Sequence, residues 1–164
     1  YDMEEGRSDV YFGEESTVQC HISDTRRASV FGTPGVDIDW RNQNTFFLKT
    51  GEAKTYIGKY RGVNRIPLLK LSEMYLIAAE ASGDKGYLQT LRDHRGYVNY
   101  PLEENCDLAA EIEAEYRKEF MAEGQLFYYY KRLDYNTLPD MGVVMTGNYV
   151  FPMPDDEMEF GDIK

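Results

Sequence analysis

The stretch IPLLKLSEMYLIAAEASGDKGYLQTLRDHRG, Ile66 to Gly96, decides the fold. It reads as two helices joined by a tight turn. Pro67 suits a first helical position, where its missing N–H would be unpaired anyway. No Gly or Pro interrupts Leu68 to Ser82, and Leu68, Leu71, Tyr75, Ala78 and Ser82 recur at helical spacing with Met74 and Ala81 beside them. Lys70, Glu73 and Glu80 make only a narrow polar stripe, so the pattern predicts a helix buried against several neighbours. Ala78, Ala79, Ala81 and Ser82 are small enough to admit another helix closely. Gly83 is the natural residue just past the helix end, and Asp84 the natural N-cap of the next helix. Tyr87, Leu88 and Leu91 line one face of that second helix, which ends at Gly96. So short a turn makes the pair an antiparallel hairpin.

Downstream, Tyr97 to Asn105 is a connector containing Pro101. Asn105 or Asp107 can cap one long helix from Leu108 to about Tyr135, with Leu108, Ile112, Tyr116, Phe120 and Phe127 as its apolar stripe. Gly124 interrupts it, which points to close packing or a bend. The aromatic run Phe127 to Tyr130 covers every side of one turn and reads as packing. Asn136 to Gly147 is a loop.

Upstream, the pattern is not helical. Tyr1 to Gly13 is acidic and glycine-spaced and reads as an extended arm. Ser16 to Val30 alternates loosely (Val18, Cys20, Ile22), as a short strand would. Ser23 to Arg27 reads as a turn capped by Asp24, and Gly32-Thr33-Pro34-Gly35 as another. Val36, Ile38 and Trp40 alternate with Asp37, Asp39 and Arg41 at the strand period of two. Asn42 to Asn44 is a polar loop, and Thr45 to Leu48 and Thr55 to Ile57 are further short strands.

The composition restricts function. Eighteen basic against 29 acidic residues give a net charge of −11, which argues against nucleic acid and against a basic patch for anionic lipid. It does not oppose a neutral ligand such as a sugar. Fourteen tyrosines accompany a single tryptophan. Cys20 and Cys106 show no metal spacing; an oxidising compartment would let them pair, but they read first as two separated buried thiols. No apolar run is long enough to span a membrane.

Several segments carry a resemblance. RIPLLKLSEMYLIAAEA is similar to the helix signature of the SusD/RagB family of nutrient-uptake proteins. GDKGYLQTLRDHRGY resembles that family's next helix, with an Arg-x-x-Arg-like step (Arg92, Arg95) before Gly96. Asp24-Thr25-Arg26-Arg27 resembles an earlier Asp-x-Arg-Arg-like step. EYRKEFMAEGQLFYYYKRL, Glu115 to Leu133, resembles a second signature: a Glu-Arg-Arg-x-Glu-like start, Glu-Gly, an aromatic run and a basic pair. Tyr116, Gln125 and Tyr129-Tyr130 depart from it. NYVFPMPDDEMEFGDIK resembles the family's terminal segment of short strand, Pro-x-Pro step and acidic turn. The segments occur in the family's order over nearly all of Asp24 to the C-terminus.

The resemblance implies a fold and a role. The fold is mainly α: a tetratricopeptide-like helical hairpin plus a long helix, with short β-hairpins and loops in the N-terminal third. The chain is then one domain, the C-terminal portion of a longer protein. Residues 1–62 form the loop and hairpin segment, 63–135 the helical core, and 136–164 the terminal loop and short strand. Such proteins bind a polysaccharide or oligosaccharide at the outer membrane surface of Bacteroidetes and deliver it to a SusC-like TonB-dependent transporter. They touch the membrane only through a lipid anchor, here expected upstream. No cofactor, nucleic acid or enzymatic activity is implied.

The candidate ligand site is Trp40 with Asp37, Asp39, Arg41, Asn42 and Asn44. A sugar has an apolar C–H face that an indole covers and a rim of hydroxyls that carboxylates, amides and guanidinium match. The competing reading is Trp40 as core under a polar turn. His21 and His94 are isolated, and Asp155 to Glu159 lacks the calcium-loop pattern and suits a helix start. No nucleophile elbow, phosphate loop or zinc box is present. The rival function is a tetratricopeptide-like scaffold that binds only protein.

Overall fold

The computed structural model describes residues 20–63, 65–139, 142–145, 147, 149 and 150. The acidic arm at 1–13, the start of the first predicted strand and the acidic stretch at 155–159 lie outside them. The described residues are mainly helical, with seven α-helices and a small three-stranded antiparallel sheet. The chain divides into two compact units, Tyr1–Glu123 and Gly124–Lys164.

The first unit begins with β1 (His21–Ile22), which pairs with β3 (Thr55–Ile57); β2 (Phe46–Leu48) pairs with the other edge of β3. Tyr56 sits opposite both His21 and Phe47 and is buried. The predicted strand does not continue to Val30. Instead Ser23 accepts a hydrogen bond from the Arg26 N–H (3.2 Å) and caps α1 (Asp24–Phe31). The predicted strand at Val36 to Arg41 is also replaced, by two single helical turns, α2 (Gly35–Ile38) and α3 (Trp40–Asn44). Asp39 is the corner between them: its carboxylate accepts from the Arg41 N–H at 2.8 Å. The Asn42 amide donates to the Val36 carbonyl (2.6 Å) and the Gln43 amide to that of Asp37 (2.9 Å). Local caps of this kind outweigh an alternating pattern.

The hairpin forms as α4 (Leu71–Ser82) and α5 (Lys85–Arg92), with Gly83 as C-cap and Asp84 as N-cap, its carboxylate accepting from the Gly86 N–H at 2.8 Å. The helix starts later than Pro67 suggests, because Lys70 is extended (φ −118°, ψ 137°) and sends its ammonium to Glu123. The buried face of α4 is Ser72, Leu76 and Ala79, not the Leu68–Leu71–Tyr75 side; Leu71 is 72% exposed. In α5, Leu88 and Leu91 are buried and Tyr87 is exposed. A wider turn, Asp93–Tyr97, continues α5 and carries the left-handed Gly96 (φ 108°).

The predicted long helix is two. α6 (Leu108–Glu119), capped by Asp107, buries Ile112 and Tyr116 and packs against α4 and α1. Phe120, fully buried, ends it. The chain then breaks through Ala122 (φ 60°) and Gly124 (φ 78°) into α7 (Gln125–Arg132), which belongs to the second unit. There Tyr129 and Tyr130 are buried and Tyr128 exposed. Thr137 and Val144 bridge, and Lys131 donates to the Tyr149 carbonyl at 2.8 Å. Cys20 is exposed and Cys106 half-buried, both free, so neither is the buried thiol expected.

Candidate functional site

The α2–α3 corner is docked by close backbone approach. A Cβ on Gly96 would stand 2.2 Å from the Ile38 carbonyl oxygen, and one on Gly35 would stand 2.4 Å from the Tyr97 hydroxyl. Only glycine fits at 96, where the obstacle is backbone and φ is left-handed; at 35 a side chain would have to displace the Tyr97 phenol. The turn after α5 therefore lies directly against the corner that presents Trp40.

Charge fixes the corner from inside. Asp39 is fully buried and holds Arg41 by a bidentate pair, Nε to Oδ1 at 3.0 Å and Nη2 to Oδ2 at 2.7 Å. Arg41 also reaches Glu115 (2.7 Å) and Glu119 (3.1 Å) on α6. Lys118 donates to Glu115 (2.9 Å) and to the Tyr97 hydroxyl (3.4 Å). Arg95 makes two bonds to Glu119, each 3.1 Å, and the Ser72 hydroxyl donates to it at 2.8 Å. Asp39, Glu115 and Glu119 thus face Arg41, Lys118 and Arg95, and the formal charges cancel. Beside them Lys59 and Lys70 share Glu123, and Lys59 also donates to the Glu119 carbonyl.

Burial by itself would raise the Glu119 carboxyl, but hydrogen bonds and charge from Arg95, with Arg41 and Ser72, bring it down to about 2. Burial also opposes ionisation of Glu115, and Arg41 and Lys118 overcome it, so its carboxyl lies below the usual value. Burial lowers Arg41 too, yet Glu115 and Asp39 hold it above the ordinary arginine value. Tyr97 is pushed up by burial and then by the charges of Asp39 and Glu115. Burial brings Lys59 down to about 8. Glu115 and Glu119 are ionised at neutral pH and are not proton donors there.

The six predicted site residues divide. Trp40, 63% exposed, Asp37 and Asn44 lie on the outside, with Gln43 between. The Asn44 amide donates to the Trp40 carbonyl at 2.8 Å and stiffens the turn. Asp39, Arg41 and Asn42 face inward and are not available to a ligand. Trp40 is not core. The residues the pattern did not single out are Glu115, Glu119, Lys118, Arg95, Tyr97 and Ser72. Their signal was there: Glu115, Glu119 and Glu123 stand at i, i+4 and i+8 beside the buried Ile112, Tyr116 and Phe120. Among the described residues no group of three His, Cys, Asp or Glu side chains could hold a metal ion, and no helix is long and apolar enough to cross a membrane. No family model, curated protein or solved structure matches this chain.

Proposed function

We propose that this chain is the C-terminal portion of a SusD/RagB-like protein. It captures a glycan or similar polar nutrient at the outer membrane surface and hands it, unaltered, to a SusC-like TonB-dependent transporter. The observation that carries this reading is Trp40: an exposed indole on a corner immobilised from beneath by Asp39 and Arg41, with Asp37, Gln43 and Asn44 exposed on the same segment. A platform that is already rigid loses little conformational freedom when a sugar stacks on it. The resemblance gains physical content as well. Each of its helical segments supplies part of one buried network: Lys70 and Ser72 from the first, Arg95 and Tyr97 from the second, Glu115, Lys118 and Glu119 from the third.

Electrophoresis through gels containing neutral polysaccharides tests binding. The chain is expected to be retarded by at least one polysaccharide and Trp40→Ala to migrate freely. Equal migration of both proteins in every gel would reject the reading. Size chromatography of the same polysaccharides after long incubation should show unchanged chain length. A TonB-dependent transporter should co-purify with the protein from native membranes.

One observation favours the scaffold reading. Leu68, Leu69, Leu71, Met74 and Ile77 form an exposed apolar stripe along the start of α4. A protein-only scaffold would bind a partner through that stripe and ignore every glycan.

A further inference from the structure

A concavity lies in the same unit as the corner. The connector from the turn after α5 to the start of α6 encloses a cleft of about 670 Å³, bordered by Arg92, Asn99, Tyr100, Glu103, Asn105 and Glu111. That volume is in the range of small-molecule sites. Its walls are tied down: the Leu102 N–H donates to the Gln89 side chain at 2.8 Å, and Lys85 donates to the Glu103 and Glu104 carbonyls at 3.2 and 3.1 Å.

Its polar groups are largely uncommitted. Among the described residues nothing hydrogen-bonds the side-chain amides of Asn99 and Asn105 or the Tyr100 hydroxyl. Arg92 lies over the Tyr97 ring at 4.6 Å and donates from one terminal nitrogen to Glu111 at 2.9 Å, while its Nε is buried without a partner. Glu111 is thereby neutralised, and Asp107 caps α6. What remains open to a ligand is two amides, a phenol with its ring and one carboxylate. That set matches a neutral polyhydroxylated molecule with an apolar face. An anion would meet Glu103 and Asp107, and an apolar ligand would leave the amides unpaired.

The cleft is also near Trp40. The indole Cδ1 lies 3.4 Å from where a Gly96 Cβ would be. Asn99 follows three residues later, and three residues span at most about 11 Å. We infer that the cleft is a second saccharide subsite for the neutral glycan that Trp40 engages, so that the ligand is an oligosaccharide. This rests on the glycan-binding reading above.

The test uses ¹⁵N-labelled chain titrated with neutral hexose and pentose oligosaccharides, from dimers to hexamers, and with the parent monosaccharides. The oligosaccharide that shifts the Trp40 indole signal is expected to shift the Asn99, Tyr100 and Asn105 amides too. The doubly substituted N99A/N105A chain, altered only at exposed positions, should bind that oligosaccharide about tenfold more weakly. Its response to the monosaccharide at Trp40 should be unchanged. If Trp40→Ala abolishes binding while N99A/N105A alters affinity at no length, the cleft is no subsite and the glycan reading stands. If no sugar shifts either Trp40 or the cleft, both fall.

Discussion

Arg41 and Trp40 are neighbours with opposite fates, and their substitutions separate structure from function. Removing the Arg41 guanidinium leaves the buried Asp39 carboxylate without its cation, while Glu115 keeps Lys118 and Glu119 keeps Arg95. Arg41→Ala is therefore expected to cost about 3–5 kcal/mol in urea unfolding. Trp40→Ala removes an exposed side chain and should change stability by no more than about 0.5 kcal/mol. Glu119 supplies a pH signature. Its carboxyl at about 2 lies below the usual 4.5, so its contribution is complete above about pH 4.5 and is lost as pH falls from there toward 2. The contribution is on the order of 3 kcal/mol. Glu119→Gln should lower stability at neutral pH and flatten the acid limb over that window; an unchanged limb would place the titration elsewhere. The sequence shows the alternation at 36–41 but not its polarity. Hydropathy puts Trp40 inside and the charges outside; the structure exposes Trp40 and Asp37 and buries Asp39 and Arg41. The partners that make burial of Arg41 tolerable, Glu115 and Glu119, lie 74 and 78 residues away, beyond any local pattern.

The helix α4 shows the same limit at the scale of an element. Its existence, its Gly83 end and the Asp84 start of α5 were all legible, because caps are local chemistry. Its buried face was not, because nearly the whole circumference is apolar and spacing cannot choose among equivalent sides. A hydroxyl decides: Ser72 turns inward to Glu119 and carries Leu76 and Ala79 with it. Leu76→Ala should accordingly cost about 2–5 kcal/mol, whereas Leu71→Ala should stay within about 0.5 kcal/mol. Chemical denaturation midpoints of the two variants check this, and equal shifts would mean that the helix is rotated. The break between α6 and α7 was signalled by Gly124, but the aromatic residues on both sides keep helical spacing and conceal the interruption.

At the scale of the whole molecule, the net charge restricts the ligand. The buried network around Arg41 is balanced and contributes nothing to the net −11. A chain of that sign repels polyanions and leaves a neutral glycan unaffected. Affinity for a neutral oligosaccharide is therefore expected to be the same at low and high salt; steep salt dependence would point to a charged ligand. The mainly α architecture could be read from the central hairpin. The position of the candidate site could not, since it depends on two glycines, Gly35 and Gly96, whose contacts are with distant backbone and phenol. The chain has one tryptophan, so its indole fluorescence reports Trp40 alone. Titrating the wild-type chain with neutral oligosaccharides while following that emission is the most direct test of glycan capture. Glycan capture at Trp40 predicts a saturable change with at least one oligosaccharide and no loss of folded structure. Emission that stays constant across the whole series, from a protein shown to be folded, would contradict it.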